Sequence, residues 1–386
     1  GTLNFLDPAC GCGNFLVISY REVRLLELEV IKRLYAKETQ QLSLDAISQY
    51  VKVDVDQFHG IEIEEWPAQI AQVAMWLIDH QMNLLVGETF GQAVVRIPLV
   101  KSANIVHGNA LQMDWNEVLP AERCSYVLGN PPFLGHHYQS AEQKADQTMV
   151  MRDLSARGVI DFVANWYVKA ADYLQASPKI RVAFVSTNSI TQGEHVGLLW
   201  PFMLSKGIKI HFAHRTFQWS NDASGQAAVH CVIVGFGSEC VGRKLIFDYD
   251  HPKADPGLIE AQNINPYLVD APDVIVSTRN KPICDVPKMS WGNKPTDGGH
   301  LILSPDERRE LLEKEPAAAP FIRRYMSGGD FINGIERYCL WLPDADPQTL
   351  KVLPEVRKRV EAVRQMRLAS KAASTREYAK FPTRFR

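Results

Sequence analysis

Gly129-Asn130-Pro131-Pro132-Phe133 stands directly behind an apolar run, Tyr126-Val127-Leu128. That order predicts a buried strand ending in a stiff, extended loop. Each proline fixes its own φ and turns the residue before it away from the helical region. Asn130 and Pro131 are therefore both held extended, and neither proline contributes an N–H. What the loop offers is acceptors, the Asn130 side-chain oxygen and the Pro131 carbonyl, with the flat face of Phe133 close by. Two fixed acceptors beside an aromatic ring suit a planar amine such as the exocyclic amine of adenine. Such an amine is a poor nucleophile, because its lone pair is delocalised into the ring. Acceptors on its two hydrogens stabilise a more pyramidal nitrogen and the positive charge that grows as it attacks. An ordinary Pro-Pro turn after a strand would use the same residue types, so the rest of the chain has to decide.

Upstream, Leu3-Asn4-Phe5-Leu6 is a strand candidate, followed by Asp7-Pro8-Ala9-Cys10-Gly11-Cys12-Gly13-Asn14-Phe15 and a periodic stretch to about Lys37. Strand, glycine turn, helix is the opening of a doubly wound sheet with a ligand over the strand ends. Gly11 and Gly13 let backbone approach a ligand closely. A nicotinamide fingerprint wants a further small residue where Leu16 stands, and Asp7 at the strand end opposes a pyrophosphate. A carboxylate there suits a cation such as the ammonium of a methionine moiety. Phe58–Ile63 is a second strand, and an acid at its end, Glu62, either takes a ribose diol, as is common there, or is a surface acid of Glu62-x-Glu64-Glu65. Glu62 comes later than the ~20-residue spacing of a minimal unit; a long first helix and an inserted segment at 43–50 absorb the difference. Trp66–Asn83 has apolar residues at helical spacing. Ala103–Val106 is a third strand, and Asn109 behind it either hydrogen-bonds an adenine ring or caps a turn.

The chain has 386 residues, 46% hydrophobic and 22% charged, enough for one large or two medium domains. It contains no apolar run long enough to span a membrane and no basic leader before its first apolar residues. Seven cysteines at scattered spacings fit a reduced, cytoplasmic setting and no zinc site. Net charge is −2, but it is unevenly placed. Residues 1–176 carry 13 Lys and Arg against 21 Asp and Glu, whereas residues 351–386 carry 11 against 3. The acid-rich front and the basic tail point to separate jobs.

The Asp7–Phe15 segment, then Gly60-Ile61-Glu62-Ile63, then Asn130-Pro131-Pro132-Phe133, in this order on successive strands, resembles the amino-group DNA methyltransferases. Within them the pattern is similar to the adenine-specific γ-class enzymes. The wording of Phe184-Val185-Ser186-Thr187-Asn188-Ser189-Ile190 and Ala227–Phe236 is similar to the MmeI-like (type IIL) restriction–modification family. The resemblance covers most of the chain. It implies an α/β class I S-adenosylmethionine-dependent methyltransferase, a Rossmann-like doubly wound sheet with a late antiparallel hairpin, plus a partial target-recognition region. Asp7, Ala9, Gly11, Gly13 and Phe15 would line the cofactor site; Glu62 would take the ribose hydroxyls; Ile63, Asn109 and Ala110 would border the cofactor adenine. Asn130 and Pro131 would accept from the target amine, Pro132 would stiffen the loop, and Phe133 would stack on a base flipped out of double-stranded DNA. No metal is implied. Phe217 and Trp219, before the late hairpin, are either contacts to the flipped base or core.

After the catalytic loop, 135–157 is polar and is expected to be irregular, a lid or a solvated loop. Val159–Leu174 is a helix, Ile180–Val185 a fifth strand, Gly197–Lys206 a helix, and Ile208–Phe212 with Val229–Phe236 a strand pair. From Cys240 prolines become frequent, which is expected to mark a linker. The domain expectation is thus 1–245 catalytic and 246–386 linker plus partial recognition region. Val352, Val356, Val360 and Val363 share one helix face, with Arg357, Lys358, Arg359, Arg364, Arg367 and Lys371 available to ride phosphates or to face solvent. The family pattern includes a helix ahead of the first strand, absent here, and a nuclease segment further upstream; the sequence is expected to be an internal fragment with the nuclease on the same native polypeptide. Two rivals remain. Asn-Pro-Pro-aromatic loops also serve methyltransferases of RNA bases or of a protein glutamine amide, and a non-catalytic DNA-recognition subunit would share the fold.

Overall fold

The computed structural model describes residues 3–34, 50–90, 102–154, 159–219, 229–239, 242–279, 281–287, 292–343 and 345–386. The inserted segment expected at 43–50 therefore lies almost wholly outside them. The chain forms two compact units, Gly1–Asn280 and Lys281–Arg386.

The first unit is built on one nine-stranded sheet. Its strands are β1 (Phe5–Asp7), β2 (Phe58–Glu62), β3 (Asn104–His107), β4 (Tyr126–Gly129), β5 (Arg181–Thr187), β6 (Lys209–Trp219), β7 (Val229–Gly237), β8 (Lys244–Asp248) and β9 (Gly257–Ala261). They run in the order β3-β2-β1-β4-β5-β7-β6-β8-β9. The first five are parallel, and β7 is antiparallel to both β5 and β6. Helices α1 (Asn14–Leu34) and α2 (Glu65–Phe90) cover one face; α3 (Ala141–Val150), α4 (Ala164–Tyr173) and α5 (Gly193–Ser205) follow in the later crossovers. Alternation along β1 feeds two cores: Phe5 packs with Leu16, Phe58 and Met75, while Leu6 packs with Val127, Phe184 and Trp166. Register at the centre is fixed by a ladder of stacked rings, Phe58 on Phe5 at 4.6 Å and Phe5 on Tyr126 at 5.3 Å.

The α/β class and the late hairpin match the expectation, with three local differences. Residues 141–150 form α3, not an irregular loop. Its start carries a capping box in which Ser140 and Gln143 satisfy each other's backbone N–H. Strand β6 continues to Trp219 instead of ending at Phe212, with register shifts at Ile210/Phe212 and His214/Phe217. The proline-rich stretch expected as a linker from Cys240 instead supplies β8, parallel to β6, and β9 beside it.

The second unit holds a three-stranded antiparallel sheet, β10 (Ile302–Leu303), β12 (Arg337–Leu340) and β11 (Ile322–Tyr325), in that spatial order. Helices α6 (Pro305–Lys314) and α7 (Pro354–Leu368) pack on it through Leu311, Val356 and Val363. The expected basic helix is α7, but Arg367 does not face phosphates. It is fully buried and donates to the carbonyls of Pro295, Thr296, Tyr378, Phe381 and Arg384. Among the described residues no helix is long and apolar enough to cross a membrane.

Candidate functional site

The strand order reverses between β1 and β4, the switch point at which open α/β sheets bind ligands beyond the carboxyl ends of their strands. A cavity of about 380 Å³ lies there. Its wall takes Ala9 from behind β1, Glu62 and Ile63 from the end of β2, Asn109 and Ala110 from behind β3, and Asn130 and Pro132 from behind β4. Two segments far apart in sequence, the glycine turn and the diproline loop, thus face one space.

The glycine turn is held from several sides. Gly11 and Gly13 both have positive φ, +54° and +85°, which glycine adopts without a Cβ penalty. A Cβ on Gly13 would also stand 3.0 Å from that of Ala71, so glycine lets α1 start close against α2. The Gly11 N–H donates to Glu62 Oε2 at 2.8 Å, and the Glu64 N–H donates to Oε1 at 3.0 Å. Glu62 is thereby fixed in orientation with lone pairs to spare. Trp166 Nε1 donates to the Pro8 carbonyl at 3.0 Å, tying the turn to α4.

Asp7 is buried behind this wall and does not line the cavity. Its Oδ1 accepts from the Ala9 N–H at 3.0 Å. A Cβ on Gly129 would come within 2.5 Å of that oxygen, so the glycine ending β4 makes room for the carboxylate. Burial pushes the Asp7 carboxyl up to about 7; the Ala9 N–H bond opposes the rise and the negative charge of Glu62 adds to it.

On the opposite wall, Asn130 Oδ1 is buried and has no hydrogen-bond partner. A buried acceptor without a protein partner calls for an explanation, and a role in the chemistry of the site is one. The loop around it is strapped downstream. Asp161 Oδ1 accepts from the Leu134 and Val163 N–H groups, each at 3.1 Å, and Phe162 N–H donates back to the Leu134 carbonyl at 3.0 Å. Thr187 Oγ1 donates to Asp161 Oδ2 at 3.3 Å.

Behind β3, Asn109 is already engaged. Its Oδ1 accepts from the Leu111 N–H at 2.9 Å, and its Nδ2 donates to Asp146 Oδ2 at 2.8 Å. Gln112 Nε2 donates to Asp146 Oδ1 at 2.8 Å. Asp146 and Gln143, both on α3, complete this end of the cavity.

Of the residues singled out in the sequence, the structure brings Ala9, Glu62, Ile63, Asn109, Ala110, Asn130 and Pro132 around the cavity. Asp7, Gly11, Gly13, Phe15, Pro131 and Phe133 do not line it; Phe133 is half-buried against the core. Phe217 is elsewhere, packed with His214 and Tyr249 at 6.3 and 5.6 Å. Trp219 ends β6, and its side chain is outside the described residues. Asp146, Asp161 and Trp166 were not singled out. The one local signal for the α3 pair was the Ser140-x-x-Gln143 capping box ahead of Asp146.

Residues 1–248 match the family described as MmeI, DNA-methyltransferase domain, and residues 270–386 match the MmeI target recognition domain. The whole chain is 37% identical to DNA methyltransferase A of Bacillus subtilis, of which it spans 43%. It is 51% identical to the type IIL restriction-modification enzyme MmeI solved in complex with DNA, at a TM-score of 0.88, covering 100% of this chain and 51% of that one. A third of the chain is 27% identical to a putative type II restriction enzyme and methyltransferase of Methanocaldococcus jannaschii, of which it spans 10%. The chain thus spans about half the length of the relatives it matches throughout.

Proposed function

Because this chain belongs to the MmeI family, carrying its methyltransferase and target recognition domains, we propose that it transfers a methyl group from S-adenosylmethionine to the exocyclic amine of an adenine in duplex DNA. The observation that carries the proposal is the buried, unpartnered Asn130 oxygen on the wall of the cavity that Ala9 and Glu62 also line. No protein group satisfies this acceptor, so it is available to a donor that enters the cavity.

The residues fit the methyl donor. Glu62, oriented by two backbone N–H groups, has acceptor capacity left for a diol. Ile63 and Ala110 offer apolar surface for a planar base between the ends of β2 and β3. Asp7, at the switch point and raised to about 7, is a carboxylate that a nearby cation would draw into its ionised form. When bound, S-adenosylmethionine supplies an electrophilic methyl group.

The chain's own residues do the rest. Asn130 Oδ1 and the Pro131 carbonyl accept the hydrogens of the incoming amine, and Phe133 offers a stacking face to the flipped base. The two prolines keep both acceptors from relaxing away. No side chain has to deprotonate the amine beforehand, since it becomes acidic only as it alkylates. Extrusion of the base from the helix costs a few kcal/mol, offset by stacking and hydrogen bonds in the pocket. We assign transfer to the first unit and DNA recognition to the second, where Arg357 and Lys358 on α7 are exposed and available to phosphates.

The test is transfer of a tritiated methyl group to duplex DNA, RNA and a glutamine-containing protein acceptor in parallel. Label on duplex DNA is expected. Label on protein or RNA alone would replace this substrate class, and binding of DNA without transfer under any condition would favour a recognition subunit.

A further inference from the structure

We propose that Asp146 is the acceptor for the exocyclic amine of the methyl donor's adenine, and that it makes the site select adenine over a deaminated base. The inference rests on reading the cavity as the donor site and adds a residue from α3, an element that follows the catalytic loop.

The end of the cavity behind β3 has apolar flanks, Ile63 and Ala110, and a polar back. A planar base between those flanks presents its polar edge to that back. Asn109 stands beside that back, a neutral amide oriented by the Leu111 N–H at its oxygen and by Asp146 at its nitrogen. Its nitrogen is held by the carboxylate, so the amide cannot rotate to suit a ligand. Asp146 differs. Each of its oxygens accepts one amide hydrogen, from Asn109 at 2.8 Å and from Gln112 at 2.8 Å. A carboxylate has about four lone-pair sites, so acceptor capacity remains, and the residue lines the cavity while nine-tenths buried. The two amides also fix the carboxylate plane, so the free lone pairs have a set direction.

The chemistry is selective because an ionised carboxylate only accepts. An amine facing it donates; a carbonyl at the same position sets acceptor against acceptor in a desolvated site. Adenine carries the amine there and hypoxanthine carries the carbonyl. Sites built around one buried polar partner discriminate strongly against analogues that lack it, and a bond to a charged acceptor is among the stronger ones. The Ser140/Gln143 capping box fixes the start of α3, and Asp146 lies in the middle of that helix.

The test is calorimetric binding of S-adenosylhomocysteine and S-inosylhomocysteine to the full chain, for the parent, Asp146→Asn and Asp146→Ala. The parent is expected to bind the adenosyl compound about 100-fold more tightly. Asp146→Asn offers an amide that can donate to the carbonyl, and is expected to narrow that ratio at least tenfold. Asp146→Ala is expected to weaken the adenosyl compound and leave the inosyl compound within about threefold. Equal binding of the two by the parent, a result that needs no variant to fold, overturns the assignment. So does a ratio unchanged in Asp146→Asn. If the parent binds neither compound, the reading of the cavity as a donor site fails, and this inference with it.

Discussion

Replacing Asn130 by alanine is expected to separate function from stability. The Asn130 oxygen is buried without a partner, and an unsatisfied buried acceptor costs the folded state about 1–3 kcal/mol. Alanine removes that cost, and no protein donor loses a bond to this oxygen. After the loss of some side-chain packing, the variant is expected to match the parent's stability or exceed it by up to about 2 kcal/mol. Methyl transfer responds oppositely. An acceptor aimed at charge that develops on the amine contributes roughly 3–4 kcal/mol, so the single-turnover rate is expected to fall about 10²- to 10³-fold. Affinity for S-adenosylhomocysteine should change little, because the Glu62 end of the cavity is untouched. The assays are a rapid-quench transfer with radiolabelled donor, calorimetry and a denaturant titration. A rate within threefold of the parent would remove Asn130 from the chemistry. A lost rate together with more than about 2 kcal/mol of lost stability would make it a structural residue, contrary to the orphaned state of its oxygen.

Three further outcomes follow from the geometry. Asp7 has a folded pKa of about 7 against an unfolded value near 3.8, so between these the folded state binds the extra proton. Stability should therefore fall as pH rises from about 4 to about 7, by on the order of 4 kcal/mol, then level off; Asp7→Asn should flatten this slope in denaturant titrations, and equal slopes would refute it. Asp161→Ala strips the acceptor from the Leu134 and Val163 N–H groups. It should slow transfer at least tenfold with donor affinity within about threefold, whereas Asp161→Asn, which keeps an acceptor oxygen, should recover most of the rate; an equal loss in both would show that the strap is not what matters. Arg367→Ala removes donors to five carbonyls. It should cost the second unit about 3–5 kcal/mol in unfolding experiments, while Arg357→Gln should leave stability intact and lower the salt dependence of DNA affinity by about one phosphate.

What could be seen in the sequence was what local covalent physics dictates. Gly11, Gly13, Pro131 and Pro132 constrain their own backbone, and strand ends carrying Asp7, Glu62 and Asn130 are marked by the apolar runs before them. Those constraints placed three strand ends and, with the switch-point rule, the cavity. What stayed hidden depends on contacts distant in the chain. Trp166 holds the Pro8 carbonyl across 158 positions, and nothing around Trp166 marks it as other than core. Asp146 sits in a polar stretch whose composition resembles a solvated loop, and only the folded α3 turns it inward. Strand β9 escaped notice because four of its five residues are exposed, so it lacks apolar alternation; the prolines near it flank the strands instead of replacing them. Arg367 shares a basic helix with true surface residues, and only tertiary packing distinguishes it from them.

The most direct test of a shared cavity for amine and methyl donor is the identity of the methylated nucleoside. Duplex DNA treated with the chain and a trideuteromethyl donor would be digested and resolved by mass spectrometry. Label is predicted in N6-methyladenine, and Asn130→Ala should reduce it by the factor given above. Label in 5-methylcytosine, a carbon product for which the Asn130 loop holds no nucleophile, would contradict the mechanism outright.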